Sequence, residues 1–302
     1  MTPIIEIRDL HKSFKKFKAL SGVNLTINQG EIFGLLGLNG AGKSTTIRCL
    51  LTLIKPSSGE ILYKGQNIKN CRSTFLRQVG CIVEKPDFYS SLTAYTNMKL
   101  SSYMYNMDPD KNRIFEILKL VGLEGKEHVK AKTYSQGMKQ RLGIALALLH
   151  DPEIIILDEP SNGLDPRGML ELRQLIFRLK NEFHKTIIIS SHILSEVELL
   201  VDSLIIIDHG KNIIQGSAKE LLSSDNMLVT IESPEQEKLA AVLKESNYAS
   251  QIETLEDQSL TIRAPKDQLP DLHRFLVNSG LPMHNFYTRK NLEDLFLKLT
   301  ER

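Results

Sequence analysis

The order of apolar and polar positions divides the chain into a series of short strands and longer helices. Residues 4–10, 17–20, 23–27 and 31–36 have the β-type pattern, interrupted at Gly22 and at Asn28-Gln29-Gly30. Two of these runs are expected to form a small antiparallel sheet. A strand, a glycine-rich turn and a helix follow over 32–50, closed by Pro56-Ser-Ser-Gly59, with a strand resuming at 60–63. From Thr93 to about Leu123 the period becomes helical, with Ile114, Ile117, Leu118 and Val121 on one face. Strands and helices then alternate: helix 136–150, strand 154–158, helix 166–183, strand 186–190, helix 195–201 and strand 203–208. Nearly continuous apolar strands separated by helices require a parallel sheet covered on both faces.

Past Leu222 the stretch Ser223-Ser-Asp-Asn226 has linker character. Strands are predicted at 228–232, 251–255, 259–263 and 283–287, with helices at 235–245, 269–279 and 292–299. This order predicts a small α+β domain with the ferredoxin-like succession of elements. The expected organisation is therefore a main domain over 1–222, with a helical subdomain at about 90–150, and an accessory domain over 227–302.

Composition narrows the class. The 302 residues are 41% hydrophobic and 25% charged, as a globular chain with room for a large and a small core requires. The longest apolar runs, such as 154–157 and 204–207, fall well short of the roughly 18 residues a membrane span needs. The N-terminus has no basic segment followed by an apolar one, and it is read as the first strand. Cys49, Cys71 and Cys81 lack metal-type spacing and are expected to pack as free thiols in a reducing compartment. A net charge of +2 gives no nucleic-acid footprint, and Lys12, Lys15, Lys16 and Lys18 around two phenylalanines fit a solvated hairpin edge.

The chemistry is concentrated in a few motifs. Gly37-Leu38-Asn39-Gly40-Ala41-Gly42-Lys43-Ser44, followed by Thr45, fills every fixed position of GxxxxGK[ST] between an apolar strand and a helix. Glycines let backbone N–H groups approach phosphates, and the helix N-terminus adds favourable electrostatics. Lys43 is expected on the β- and γ-phosphates and the Ser44 hydroxyl on Mg²⁺. The strand 154–158 ends in Asp158-Glu159, which puts one carboxylate in reach of the same Mg²⁺ and the next in position to polarise an attacking water.

Tyr134-Ser135-Gln136-Gly137-Met138, followed by Lys-Gln-Arg-Leu-Gly-Ile-Ala-Leu-Ala, resembles the signature loop and helix of the ATP-binding cassette (ABC) family, although it departs from that family's commonest LSGGQ form. Ser161-Asn-Gly-Leu-Asp165 resembles the family's D-loop, His192 its switch histidine and Phe14 the aromatic that stacks on adenine. The resemblance runs through the first 220 residues or so. It implies a P-loop NTPase fold of ABC type, α/β, in which a mostly parallel sheet carries an antiparallel N-terminal subdomain and a helical subdomain. It also implies two ATP molecules held between paired cassettes, a homodimer or a heterodimer with a paralogue, with Ser135 and Gly137 on the γ-phosphate bound to the opposite subunit. A separate multi-span membrane permease is implied as partner, which would hold the chain at the cytoplasmic face.

At the loop the family usually builds around glutamine, the chain has Val83-Glu84-Lys-Pro-Asp-Phe-Tyr89. Glu84 adds charge and loses the amide donor, yet its carboxylate can serve Mg²⁺ or water. This loop resembles that of bacitracin-type and lantibiotic-type peptide export and immunity ATPases, which implies export of peptide antibiotics. Export of lipids or small drugs is the neighbouring reading. A ribosome-acting ATPase usually carries two cassettes, whereas this chain has one P-loop, and a DNA-repair ATPase would need a long heptad run that is absent. Phe88, Tyr89, Tyr95, Tyr103 and Tyr105 are candidates either for the permease interface or for the helical subdomain's own core.

Overall fold

The computed structural model describes residues 2–108, 110–222, 226–255 and 259–289, which divide into two compact units, 1–218 and 219–302. The first unit opens with a long hairpin, β1 (Pro3–Phe14) and β2 (Phe17–Asn28). The two separate runs expected at 17–20 and 23–27 are one strand, because Gly22, at φ 89°, takes up a bulge while pairing with β1 continues from His11–Ser21 to Leu10–Val23. The sequence places a break where the backbone only bends. β3 (Ile32–Leu36) leads through the glycine turn into α1 (Lys43–Leu50), followed by β4 (Ser58–Tyr63) and the two-residue β5 (Gln66–Asn67). α2 (Arg72–Arg77) and β6 (Val79–Ile82) come next, neither of them evident in the apolar pattern.

The helical insert contains α3 (Ala94–Met104), α4 (Lys111–Leu120) and α5 (Gln136–Leu148), the first two started by the side-chain caps of Thr93 and Asp110. β7 (Ile154–Asp158), α6 (Pro166–Asn181), β8 (Thr186–Ser191), α7 (Leu194–Glu198) and β9 (Ser203–Asp208) then alternate, before β10 (Lys211–Ser217) returns antiparallel to β9. The main sheet runs β10-β9-β3-β8-β7-β6, parallel from β9 to β6, and the second sheet runs β2-β1-β4-β5, antiparallel throughout.

One hydrophobic core joins the two sheets around α1. Ile5, Ile7 and Leu25 from the antiparallel sheet, Phe33, Leu35, Ile156 and Ile188 from the parallel one, and Ile47 and Leu50 from α1 belong to it. Ile47 and Leu50 are 1% and 3% exposed, and their burial stabilises the helix position by about 1.5–3 kcal/mol each. The glycine turn therefore hangs between a buried strand and a buried helix.

α8 (Ala218–Leu222) spans the boundary between the units. The second unit comprises β11 (Asn226–Glu232), α9 (Gln236–Lys244), β12 (Ile252–Leu255), β13 (Leu260–Pro265), α10 (Leu269–Asn278) and β14 (Asn285–Arg289). Its sheet order β12-β13-β11-β14, antiparallel at each step, is the ferredoxin-like order, over a core that includes Val229, Ile231, Leu243, Ile262, Leu272 and Leu276. The helix expected at 292–299 and most of the linker, 223–225, lie outside the described residues. No helix among the described residues is long and apolar enough to cross a membrane.

Candidate functional site

The site begins with a backbone constraint. A Cβ on Gly37 would stand 2.2 Å from the carbonyl oxygen of Ile207, so only glycine lets the chain leave β3 this close to β9. The turn delivers Lys43 as the first residue of α1, 5% exposed, with its ammonium donating to the carbonyls of Gly37 at 2.8 Å and Leu38 at 3.3 Å. Leu38, Asn39 and Gly40 are exposed at the crest of the turn; Ala41 is buried, and Gly42, Ser44 and Thr45 are half-buried. These are the positions a phosphate chain must reach.

Two strand ends supply the acids. Asp158 closes β7 at 2% exposure, and the adjacent β8 places Ser190 beside it. The Ser190 hydroxyl donates to Asp158 Oδ1 and accepts the backbone N–H of Glu159 at 2.9 Å. Glu159 is thereby held at φ 50°, a left-handed conformation uncommon for this residue type. Its carboxylate is bound at both oxygens, Oε1 lying 3.1 Å from Lys43 Nζ and Oε2 2.7 Å from His192 Nδ1. Lys43, Asp158, Glu159 and His192 thus form one connected group across the start of α1 and the ends of β7 and β8.

The remaining candidates lie apart from that group. Phe14 sits 45% exposed at the hairpin tip, with Lys12 Nζ 4.8 Å from its ring centroid. Glu84, at φ 66°, pairs with Arg48 in the last turn of α1. Ser135 caps α5, its hydroxyl accepting from Met138 N at 3.3 Å. Asp165 likewise caps α6, accepting from Gly168 N at 3.0 Å, a local duty its D-loop resemblance does not announce. The signature and D-loop segments meet, since a Cβ on Gly137 would lie 3.8 Å from Leu164. Among the described residues no hydrogen bond or ion pair joins Ser135, Gly137 or Glu84 to Lys43, Asp158, Glu159 or His192.

Three supporting residues carry no motif. Ser190 is one. Asn97, 3% exposed, donates to the carbonyls of Tyr89 and Thr93 at 3.0 and 2.9 Å and accepts from Tyr89 N at 2.8 Å, which fixes the aromatic loop. Gly143 is the third. A Cβ there would come within 2.5 Å of Pro86, so α5 and the Glu84 loop pack with no room for a side chain. This contact forms part of a groove of about 550 Å³ whose lining includes Leu53, Phe88, Tyr89, Leu100, Met104 and Tyr105. Of the aromatic candidates, Phe88, Tyr89 and Tyr105 line the groove, Tyr103 is 55% exposed, and Tyr95 packs inward on Phe115 at 5.9 Å and on His128 at 5.7 Å.

The family model described as ABC transporter matches residues 20–162. The bacitracin transport ATP-binding protein BcrA of Bacillus licheniformis is 40% identical over 300 residues, 99% of this chain and 98% of its own length. The lantibiotic transport ATP-binding protein SrtF of Streptococcus pyogenes is 43% identical over 224 residues, 74% of this chain and 94% of its own. Among solved structures, the dimeric post-hydrolysis state of the ATP-binding cassette MJ0796 bound to ADP and Pi superposes with a TM-score of 0.64 at 26% identity, covering 71% of this chain and 99% of that one.

Proposed function

Since the chain belongs to the ABC transporter family as an ATP-binding, ATP-hydrolysing subunit, we propose that it works as a dimer on a separate membrane permease and energises export of peptide antibiotics. The observation that carries the cargo class is the near-complete overlap with a bacitracin transport ATP-binding protein. The groove favours the membrane partner: Leu53, Tyr89, Leu100, Met104 and Tyr105 are all exposed on its walls, a concentration of apolar surface suited to burial by another chain.

In the catalytic step the chain's own residues divide the work. Lys43 transfers its ammonium from Glu159 to the β- and γ-phosphates, where it stabilises developing charge. The freed Glu159 oxygen orients or deprotonates water, while His192 keeps the carboxylate aimed and senses the γ-phosphate. Phe14 stacks on adenine. Ser135 and Gly137 present the α5 N-terminus to the nucleotide held by the other subunit. Closure assembles each site, and hydrolysis lets the pair open.

The donor set suits Mg²⁺: hydroxyl and carboxylate oxygens at Ser44 and Asp158, few in number, as this ion requires when substrate phosphates complete its shell. Glu84 is a further oxygen donor once released from Arg48. When bound, the ion neutralises phosphate charge. The role of the accessory unit in this scheme is dimer contact or regulation, by analogy with similar exporter ATPases.

The test is susceptibility to bacitracin in a strain deleted for this gene and complemented in trans. Wild-type complementation should restore growth and Glu159→Gln should not; equal susceptibility of the deleted and parent strains would remove peptide antibiotics from the proposal. Retention of a multi-span protein through detergent purification tests the partner.

A further inference from the structure

A second concavity lies apart from the nucleotide group and from the groove. It has a volume of about 280 Å³, close to the lower end of ligand-pocket sizes. Its walls come from the last turn of α1 and the segment after it, from β4, and from the stretch joining β5 to α2. Cys49, Ile54, Ile61 and Ile68 give it an apolar interior. Burial pushes the Cys49 thiol up to about 11, so this wall carries no charge at neutral pH.

The rim has the opposite character. Lys55, Lys69 and Arg72 all line the pocket, and none of them makes an ion pair among the described residues. Arg72 is oriented, its Nε donating to Thr52 Oγ1 at 2.7 Å, which leaves the rest of the guanidinium for another acceptor. Lys12 adds cationic charge nearby, its ammonium donating to the Lys55 carbonyl at 2.8 Å. The single carboxylate on the lining, Glu60, is within 3.4 Å of Arg8. An apolar interior under an uncompensated cationic rim is complementary to one kind of small molecule.

We infer that this pocket binds a single-chain anionic amphiphile, with its chain against Cys49, Ile54, Ile61 and Ile68 and its anionic head at Lys55, Lys69 and Arg72. The volume admits one medium-length chain and excludes a two-chain phospholipid. The location adds a functional consequence. Thr52 and Ile54 line this pocket while Leu53 between them lines the groove, so the occupant lies beside the surface assigned above to the membrane partner. The pocket itself does not depend on that assignment.

The probe is decanoate, titrated below its micelle concentration into the full-length chain by calorimetry, with decyltrimethylammonium and phosphatidylglycerol vesicles as separate arms. Saturable one-to-one binding of decanoate is expected, at least about tenfold weaker in Lys69→Gln/Arg72→Gln, the factor for one lost charge-assisted contact. The cationic analogue should show no saturable binding. Both substitutions are at exposed side chains, and an unchanged unfolding midpoint establishes that the variant is folded. Absence of saturable decanoate binding overturns the inference, as does equal binding of the cationic analogue or of the variant. Vesicle binding that the variant loses, without decanoate binding by the wild type, would assign these cations to a membrane surface and overturn the pocket.

Discussion

Lys43 and Glu159 face each other at 3.1 Å, so the cation proposed to receive phosphate and the carboxylate proposed to receive water occupy each other. On that proposal, nucleotide entry is an exchange of partners. Glu159→Gln should lower turnover by about 10²- to 10⁴-fold, the range for loss of a general base. Because the amide no longer holds Lys43 by charge, affinity for a non-hydrolysable ATP analogue should rise, by up to about tenfold. The chain has no tryptophan, so a fluorescent analogue gives the binding signal. Near-normal turnover would remove Glu159 from the catalytic role, and unchanged affinity would dissociate the ion pair from nucleotide entry.

Ser190 joins the two acids without being one. Ser190→Ala removes the donor on the buried Asp158 Oδ1 and leaves the part-buried Glu159 N–H without its acceptor. A loss of about 1–3 kcal/mol in unfolding free energy is expected, the cost of leaving a buried polar group unpaired. Turnover should fall through misplacement of Glu159, whereas Ser190→Thr should retain both. A variant as stable and active as wild type would show that the β7–β8 pairing alone holds the acids.

This serine shows where sequence reading stops. Gly37 to Thr45, Asp158, Glu159 and His192 stand out as candidates because each is tied to a local pattern of fixed spacing; of these, the structure brings Lys43, Asp158, Glu159 and His192 together. Ser190 and Asn97 act through partners brought near by the fold, and no local pattern marks them. The bulge at Gly22 hid a continuous strand behind a residue that usually ends one. α2 and β6 were missed because short elements carry too few residues to establish a period. The groove is built from four separate stretches of chain; its aromatics Phe88, Tyr89 and Tyr105 stand out in the sequence, but Leu53 and the α5 wall do not.

His150 gives a pH dependence of definite sign. Its Nε2 lies 3.1 Å from the Val79 carbonyl, its ring stacks on Tyr105 at 4.2 Å, and its Nδ1 is buried without a partner. Burial holds its pKa below the ordinary 6.5, opposed by the Val79 bond and Asp151 and reinforced by Lys185. The unfolded chain then binds more protons, so this stabilisation is complete above 6.5 and is lost as pH falls below it toward the folded value. His150→Phe keeps the stacking and removes the titration. Its unfolding midpoint should decline less than that of wild type between about pH 7.5 and 5.5. Parallel declines would exclude His150 as a contributor.

The contact of Pro86 on Gly143 predicts an overpacking effect. Gly143→Ala should destabilise the chain by about 1–3 kcal/mol, since the new methyl would stand 2.5 Å from the Pro86 Cβ. Pro86→Gly in the same chain should recover most of the loss. A double-mutant cycle measures the coupling, and additive effects would mean that the helix and loop do not press on one another.

With the roles proposed above, that contact also predicts which half of a working pair feels which nucleotide. α5 is capped by Ser135, proposed above to meet the ATP of the opposite subunit, and at Gly143, two turns further on, it supports the wall of its own groove. About 12 Å of helix thus lies between the position proposed for the neighbour's ATP and the wall proposed to meet the permease. In a pair with one disabled ATP site, the half of the permease left without a stroke would be the one gripped by the copy that supplies Ser135 to the dead site, not the one gripped by the copy whose Lys43 is in it.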